Sequence, residues 1–255
     1  MIVFKPKKFF LLSKILKYLI FISFLFALDI DKYPIKNKLF FLNVEFKVVK
    51  NGTSPNRYIW LHGDEKTAEM ALNSHIKDYP GIAFFIKNEE REIPYKSTII
   101  DPNRLFSRIG AYHALKKFKP NWEPNSLKDA LDEIEIERER FLKSIMPLKN
   151  GVLVSVHNNF RGYNVKSEIK NSQKVSIKDN QNPRDFILCT SEADFIKLEK
   201  GPYNIVLQNK LPDKDDGSLS WALLKKDVRY INVETRLGYL TQQKKILSFI
   251  EKELN

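Results

Sequence analysis

The stretch Tyr58-Ile-Trp-Leu-His62-Gly-Asp-Glu65 joins an apolar run to a histidine and, three residues further along, a glutamate. The apolar part predicts a buried strand, and apolar residues at helical spacing after Thr67 predict that a helix follows. A histidine at a strand end and a glutamate at the next helix start can turn a ring nitrogen and a carboxylate towards one metal ion. An ordinary polar turn between a strand and a helix has the same spacing, so this stretch alone does not decide between the two.

The composition is that of a folded protein. The 255 residues are 43% hydrophobic and 29% charged, and 18 Phe with 10 Tyr are too many aromatic residues for a disordered chain. This length suits one sizeable domain, with or without a short targeting segment. The single cysteine, Cys189, excludes an intrachain disulfide and a metal site built from several thiolates, and its apolar neighbours predict a small core residue.

The chain is basic, with 43 Lys and Arg against 31 Asp and Glu and a formal net charge of +12. Such a charge is also found in proteins that bind nucleic acids or anionic membranes. The lysines, however, are spread along the whole chain, without an arginine-rich arm or a basic stretch with regularly interleaved aromatic residues. We therefore expect a solvated basic surface and no nucleic-acid partner, with attraction of an anionic substrate as the functional alternative.

Residues 1–28 differ from the rest of the chain. Five lysines precede an uncharged run over 18–28, which has the length of a signal-peptide core and is short for a bilayer span. We interpret 1–28 as a signal peptide or, because Leu25 rather than a small residue stands two positions before Ala27, as an uncleaved membrane anchor. A buried core helix is the alternative. Residues 29–38 are expected to be a linker, and the protein is expected to be exported (periplasmic or secreted) or anchored to the membrane.

Residues 39–255 are predicted to form one α/β domain. Strands separated by helices, several of them apolar on both faces, favour a mixed, partly parallel twisted sheet flanked by helices. Strands are expected at 39–49, 57–61, 82–86, 93–100, 151–156, 203–207 and 229–234, and helices at 67–77, 126–146, 191–198, 218–226 and 240–254. Residues 110–124 are expected to be irregular, and 165–182 a hairpin or a long surface loop. His75 is expected on a helix surface and His113 in a loop.

Two of the four histidines, His62 and His157, directly follow apolar strands. Functional groups of α/β sheets gather at the C-terminal ends of strands, so these two side chains can lie next to each other. Glu65 would complete a set of two histidines and one glutamate, which binds Zn²⁺ and leaves a position open for water. Glu234 ends another strand and is the candidate carboxylate that takes a proton from that water and passes it to the leaving nitrogen.

Taken together, these features resemble the zinc carboxypeptidase family, the funnelins, including its succinylglutamate desuccinylase and aspartoacylase branch. The likeness rests on four blocks in the family's order: His62-x-x-Glu65; Asp101-x-Asn103-Arg104 followed by Phe106; His157 at a strand end; and Gly217-Ser-Leu-Ser-Trp221 leading to Val233-Glu234 and Gly238. The resemblance implies a zinc-carboxypeptidase-like fold over 39–255. It also implies Zn²⁺ on His62, Glu65 and His157, with Glu234 as general base and then general acid.

The resemblance further implies how the substrate is held. Arg104, together with Asn103, would bind a free carboxylate of the substrate, and a bidentate guanidinium suits that group better than an ammonium does. A simple ion pair between Arg104 and Asp101 is the alternative. Arg91 is the nearest candidate for a second arginine, which would polarise the carbonyl of the bond to be cleaved.

The chain also departs from the family pattern. Asn158 and Asn159 stand where typical members have a Ser-Tyr type of sequence; either could bind substrate, or both could belong to a tight turn. A mobile tyrosine that covers the substrate has no clear counterpart, with Tyr203 and Tyr239 as candidates. These differences affect substrate specificity more than the metal site.

Three functions are compatible with this sequence. The first is a metallocarboxypeptidase that removes a C-terminal residue from peptides in the cell envelope, for example cell-wall peptides. The second is a zinc amidohydrolase that deacylates N-acyl amino acids, because the block from His62 to Ala68 is equally close to the desuccinylase branch. The third is a non-catalytic binding module on the same scaffold, against which the presence of Glu234 argues.

Overall fold

A mixed β-sheet forms the centre of the computed structural model, which describes residues 38–160 and 162–254. The described strands are β1 (Lys38–Phe41), β2 (Val44–Asn51), β3 (Arg57–Trp60), β4 (Gly81–Ile86), β5 (Ile93–Tyr95), β6 (Thr98–Ile100), β7 (Leu153–Asn159), β8 (Lys174–Ser176), β9 (Phe186–Cys189), β10 (Asn204–Leu207) and β11 (Tyr230–Arg236). The predicted N-terminal segment 1–28 lies outside the described residues, as does the predicted linker except for its last residue.

Within this part of the chain, nine strands form one sheet in the order β1-β2-β4-β3-β7-β11-β9-β10-β8, while β5 and β6 pair separately. The central strands β4, β3, β7 and β11 are parallel to their neighbours in that group, whereas β2 and β9 join them antiparallel. Every residue of β3, β4 and β7 is buried, as expected for strands covered on both faces. The predicted mixed, partly parallel sheet is confirmed.

Helices cover this sheet. They are α1 (Lys66–Asp78), α2 (Arg108–Phe118), α3 (Pro124–Ile145), α4 (Val165–Glu168), α5 (Glu192–Leu198), α6 (Leu219–Lys225) and α7 (Leu240–Leu254). Helices α1 and α7 pack on each other, and α3 packs on β1, where the rings of Phe41 and Phe141 stack with centroids 4.5 Å apart. Among the described residues, no helix has both the length and the apolar character needed to cross a membrane.

Several local predictions were wrong. Residues 39–49 form two strands, because Leu42 adopts a left-handed conformation with φ of 54° and reverses the chain. The segment expected to be irregular contains α2, whose first turn is capped by the Ser107 side chain accepting a hydrogen bond from the Gly110 amide. Its lysines occupy the exposed side, and small or apolar residues face the core. Helix α3 begins at Pro124, two residues before the predicted cap at Ser126.

Two further segments differ from expectation. Residues 165–182 contain α4, a 3₁₀ turn (Ile169–Asn171) and the edge strand β8 in place of a hairpin or a loop. His75 is buried between α1 and α7, where its ring packs against Tyr58 and Tyr79 at centroid distances of 4.9 and 4.7 Å. His113, expected in a loop, lies exposed on α2. Strand β8 pairs with β10, and His75 also contacts Glu251 on α7; a local sequence pattern does not contain these contacts.

Candidate active site

His62 and Glu65 lie in the connection between β3 and α1, and both are buried. The Glu65 backbone is fixed by Trp60, whose indole nitrogen donates to the Glu65 carbonyl oxygen at 3.1 Å. Gly63 is required here by close packing: a Cβ atom on it would lie 2.0 Å from the carbonyl oxygen of Asn88. The chain therefore passes between β3 and α1 along a path that only glycine permits.

The sheet register brings the second histidine to the same place. His157 lies near the C-terminal end of β7 and is paired directly with Glu234 of the parallel strand β11. The rings of His62 and His157 have centroids 5.1 Å apart. Three strand ends that are distant in sequence thus contribute side chains to one edge of the sheet, as the parallel arrangement predicts.

His62, Glu65 and His157 form a cluster that could hold a metal ion, with one potential ligand atom from each lying within 4.8 Å of the others. Nδ1 of His62 is 2.9 Å from Oε1 of Glu65, and Nδ1 of His157 is 3.0 Å from Oε2. Among the described residues, Nε2 of His157 is buried without a hydrogen-bond partner. Imidazole and carboxylate are donors that suit a divalent transition metal, so these side chains fit such an ion.

Asp101 contacts this cluster through His62, a role that was not predicted from the sequence. Its Oδ1 is 2.9 Å from Nε2 of His62, and its Oδ2 is 3.5 Å from Nε of Arg91. Arg91 also donates from Nη1 to Oε1 of Glu65 at 2.9 Å. Arg104 forms its ion pair with Asp216, although its charge also lowers the pKa of Asp101. Asp101 itself orients a histidine, as carboxylates do around metal sites.

These charges influence one another strongly because they are buried together. Burial opposes the charged form of His62, but the charges of Glu65 and Asp101 outweigh it and raise the pKa of His62 to about 9. Burial likewise opposes ionisation of Glu65, but the two histidines outweigh it and lower the pKa of Glu65. Charge pairing between the His62 imidazolium and its carboxylate partners thus stabilises the cluster.

Glu234 is a buried carboxylate beside the histidine cluster. Nδ2 of Asn232 donates to its Oε1 at 3.1 Å, which fixes the direction of the carboxyl group. Burial raises the pKa of Glu234, and the Glu65 charge raises it further, while His157 acts in the opposite direction. A carboxylate with a raised pKa is better suited to accept a proton and release it again than an ordinary surface glutamate is.

A cavity of about 480 Å³ opens over this cluster. All eight residues predicted for the site line it: His62, Glu65, Arg91, Asn103, Arg104, His157, Asn158 and Glu234. It continues along the face of β11, because alternate residues of that strand, Tyr230, Asn232 and Glu234, point to the same side. The cavity therefore extends from the histidine cluster along β11.

Arg104 and Asn103 occupy the wall that faces Asp216. The Arg104 guanidinium lies 3.3 Å from Oδ2 of Asp216, and both side chains are substantially exposed, so this ion pair contributes little to stability and leaves Arg104 accessible to another anion. Oδ1 of Asn103 accepts a hydrogen bond from the backbone amide of Leu219 at 3.0 Å. This hydrogen bond fixes the segment that carries Arg104 against the loop around Gly217, and so holds Arg104 at the cavity wall.

Asn158 does not fit the substrate-binding role predicted for it. Its Oδ1 accepts from the Ala68 amide at 2.8 Å, and its Nδ2 lies within 3.1 Å of both Thr235 Oγ1 and Gln243 Oε1. Both amide hydrogens are used by the protein itself, because an asparagine amide carries only two. Asn158 instead joins β7 to the start of α1 and to α7. Its neighbour Asn159 contacts Arg184, and its side chain also forms a hydrogen bond with the Glu234 carboxylate.

Neither tyrosine considered as a cover lies at the cavity. Tyr203 packs on Phe249, and Tyr239 lies against Arg236, outside the cavity wall. A different tyrosine, Tyr163, lines the cavity. Sequence reasoning missed it because it follows β7 in a stretch without a regular pattern.

Comparisons with known proteins give little information about this chain. No family model matches it, and no curated protein matches it. Three solved structures, all described as putative metallopeptidases, each cover 83% of this chain with a TM-score of 0.41. The protein from Shewanella denitrificans is 9% identical, with 78% of that chain covered. The proteins from Shewanella baltica and Shewanella amazonensis are 12% and 11% identical, each with 80% covered. These scores are too low to carry an argument, so the function of this chain has to be inferred from its own residues.

Proposed function

We propose that this protein is a zinc-dependent hydrolase that cleaves an amide bond next to a free carboxylate, in the manner of a metallocarboxypeptidase acting on peptides. One observation carries this proposal: a metal-ligand cluster, a buried carboxylate and an arginine line the same cavity. A ligand set of two histidines and one glutamate is typical of catalytic Zn²⁺ sites, in which a further position remains open for water or substrate.

His62, Glu65 and His157 would hold the ion. When bound, Zn²⁺ supplies a Lewis acid that lowers the pKa of a water molecule and polarises the scissile carbonyl. Asp101 keeps the His62 ring in position through its contact with Nε2. Arg91, which contacts Glu65 and lines the cavity, would add positive charge near the carbonyl oxygen, where negative charge develops during attack.

Glu234 would move the proton. As the water oxygen bonds to the carbonyl carbon, its proton passes to the Glu234 carboxylate, and when the carbon–nitrogen bond breaks the same proton passes to the leaving nitrogen. Hydrogen bonds from the side chains of Asn232 and Asn159 hold the Glu234 carboxylate in place for this task. The substrate's free carboxylate would displace Asp216 from Arg104, which fixes the distance between the end of the substrate and the bond to be cleaved.

A zinc amidohydrolase that removes an acyl group from an N-acyl amino acid is the second candidate. It uses the same groups, and the sequence from His62 to Ala68 favours it as much as the first. The two are separated by comparing hydrolysis of N-blocked dipeptides with that of N-succinyl and N-acetyl amino acids. Substrates with an amidated C-terminus should be poor in both cases, because they offer no carboxylate to Arg104.

The experiment that tests the proposed chemistry is the Glu234→Gln variant. It should retain zinc, because Glu234 is outside the ligand cluster, and lose roughly two to four orders of magnitude in kcat. The isosteric amide cannot accept the proton. Glu192→Gln, the same change at an exposed position at the start of α5, is the control and should keep both zinc and turnover. Full turnover by Glu234→Gln would remove this residue from the mechanism.

We also propose that the protein works outside the cytoplasm, either exported or anchored by its N-terminal segment, where peptides of the cell envelope would be its substrates. The support is the lysine-rich start followed by the uncharged run over 18–28. Fractionation of cells that express the full chain tests this: the protein should be found in the periplasm, the medium or the membrane, and recovery in the cytoplasm would contradict it.

A further inference from the structure

One wall of the cavity presents side-chain oxygens of Glu168 and Gln208 that can accept hydrogen bonds and that the proposed mechanism does not use. Glu168, at the end of α4, and Gln208, directly after β10, both line the cavity. Nε2 of Gln208 donates to Oε2 of Glu168 at 3.2 Å, and the Tyr163 hydroxyl donates to Oε1 at 2.9 Å. We call these three residues the acceptor wall.

Gln208 shows that this wall lacks a donor. Gln208 is buried, with a relative exposure of 3%, and among the described residues its Oε1 has no hydrogen-bond partner. The amide cannot be turned round, because its oxygen would then face the carboxylate of Glu168, which only accepts hydrogen bonds. A buried carbonyl oxygen without a donor is costly, so its presence in a cavity wall indicates a ligand group that donates.

Glu168 adds negative charge beside this oxygen. Each of its carboxylate oxygens has one protein donor and can accept another. Burial raises the pKa of Glu168 and the nearby charge of Asp216 raises it further, while the Tyr163 hydrogen bond and the charges of Lys170 and Arg104 act in the opposite direction. The pKa is raised on balance, so a further cation placed here would relieve an unfavourable interaction. The wall thus offers both an unpaired oxygen and a partly desolvated carboxylate to the same ligand group.

The position of the wall relates it to the reacting groups. The Tyr163 ring packs on Phe186, with centroids 5.6 Å apart, and Phe186 is the cross-strand partner of Glu234. Arg104 is close enough for its charge to act on both Tyr163 and Glu168. The acceptor wall therefore lies near both the candidate proton carrier and the arginine that would hold the substrate carboxylate.

We propose that the acceptor wall selects substrates in which the residue held by Arg104 has a cationic side chain, an ammonium or a guanidinium. This proposal rests on the proposed function, because it assumes that Arg104 binds the free carboxylate of the substrate. The ammonium of a lysine-like residue has three donors, enough to serve Gln208 Oε1 and both oxygens of Glu168. An apolar side chain of equal length would leave Gln208 Oε1 without a donor and the Glu168 carboxylate with only its two protein donors.

Binding of two matched probes tests this proposal. N-acetyl-alanyl-lysine and N-acetyl-alanyl-norleucine differ only by the ammonium group, and both are titrated calorimetrically into zinc-loaded Glu234→Gln protein, which does not consume them. The lysine probe should bind about 10- to 100-fold more tightly, the range expected for hydrogen bonds to a buried charged group. Equal affinities for the two probes, or no binding of either, would overturn the proposal.

Variants show whether the acceptor wall causes the preference. Glu168→Gln, introduced together with Glu234→Gln, should reduce the lysine-to-norleucine ratio at least tenfold, mainly by weakening lysine binding. Gln208→Met retains the carboxylate and should reduce the ratio less. Glu192→Gln removes one negative charge from the exposed start of α5 and should leave the ratio unchanged. Thermal unfolding of each variant verifies that it is folded; a folded Glu168→Gln variant with an unchanged ratio would contradict the assignment.

Hydrolysis assays with the active protein distinguish this proposal from the proposed function. If both probes are hydrolysed with equal kcat/KM, the acceptor wall has no role in selection and the hydrolase proposal stands. If lysine binds selectively but neither probe nor any N-acyl amino acid is hydrolysed, the selection stands and the hydrolase proposal fails.

Discussion

Replacing Asp101 by asparagine tests whether the cluster of His62, Glu65 and His157 is organised to hold a metal. Asp101 contacts Nε2 of His62 at 2.9 Å and also accepts a hydrogen bond from the backbone amide of Asn103 at 2.8 Å. An asparagine has the same shape, and because Oδ1 makes both contacts, an asparagine oxygen in its place can keep both. It cannot supply the negative charge that increases the basicity of the His62 ring, and its amide nitrogen would face Nε of Arg91 in place of Oδ2.

The magnitude follows from this single lost charge. Removing the partner that orients a metal-binding histidine costs about 10- to 100-fold in metal affinity, or about 1.4–2.7 kcal/mol. Competition with a chelator of known zinc affinity measures the change. Asp132→Asn is the matched control: this aspartate pairs with Lys128 and Arg108 on the surface and should leave zinc affinity unchanged. If Asp101→Asn binds zinc as tightly as the wild type, then Asp101 does not support a metal site and the reasoning is refuted.

Three other perturbations have defined outcomes. Gly63→Ala should lower the free energy of unfolding by about 1–3 kcal/mol in urea titrations, because the new methyl group would overlap the Asn88 carbonyl; an unchanged midpoint would contradict this packing. Asn158→Ala should cost about 2–4 kcal/mol, because it leaves the buried Ala68 amide without its acceptor, and should leave KM unchanged if Asn158 is structural. Zinc affinity should rise about tenfold per pH unit between pH 6 and 8: the raised pKa of His62 means that this ring is protonated there in the metal-free protein, and zinc must displace that proton. A pH-independent affinity would show that no proton is displaced.

Much of the fold could be predicted from local pattern. The apolar runs that became β3, β4 and β7 are continuous because both faces of these strands are covered, and this feature is visible in the sequence. The prediction for 110–124 failed because glycine and three lysines concealed the buried side of α2. The helix depends on contact between Gly110 and Gly217, which are far apart in the chain.

Part of the candidate site could likewise be predicted from the sequence, and part of it could not. Histidines that follow apolar strands, and a carboxylate at the end of a third, could be predicted to meet, because parallel strands present their C-terminal ends at one edge. The contact between Asp101 and His62 could not be predicted, because it depends on how the chain after β6 returns to the sheet. The acceptor wall was missed for a similar reason: Glu168 and Gln208 come from segments whose sequences have no regular pattern.

Zinc content is the most direct test of the metal site. The metal content is measured by inductively coupled plasma mass spectrometry on protein purified without added chelator. The wild-type protein should contain about one zinc per chain. The His62→Ala and His157→Ala proteins, if folded, should contain close to none. Folding is checked by circular dichroism, and His113→Ala, a change at an exposed position on α2, is the control. The account would be contradicted if the wild-type protein bound no zinc after dialysis against a zinc solution. It would also be contradicted if folded His62→Ala and His157→Ala variants retained the full amount.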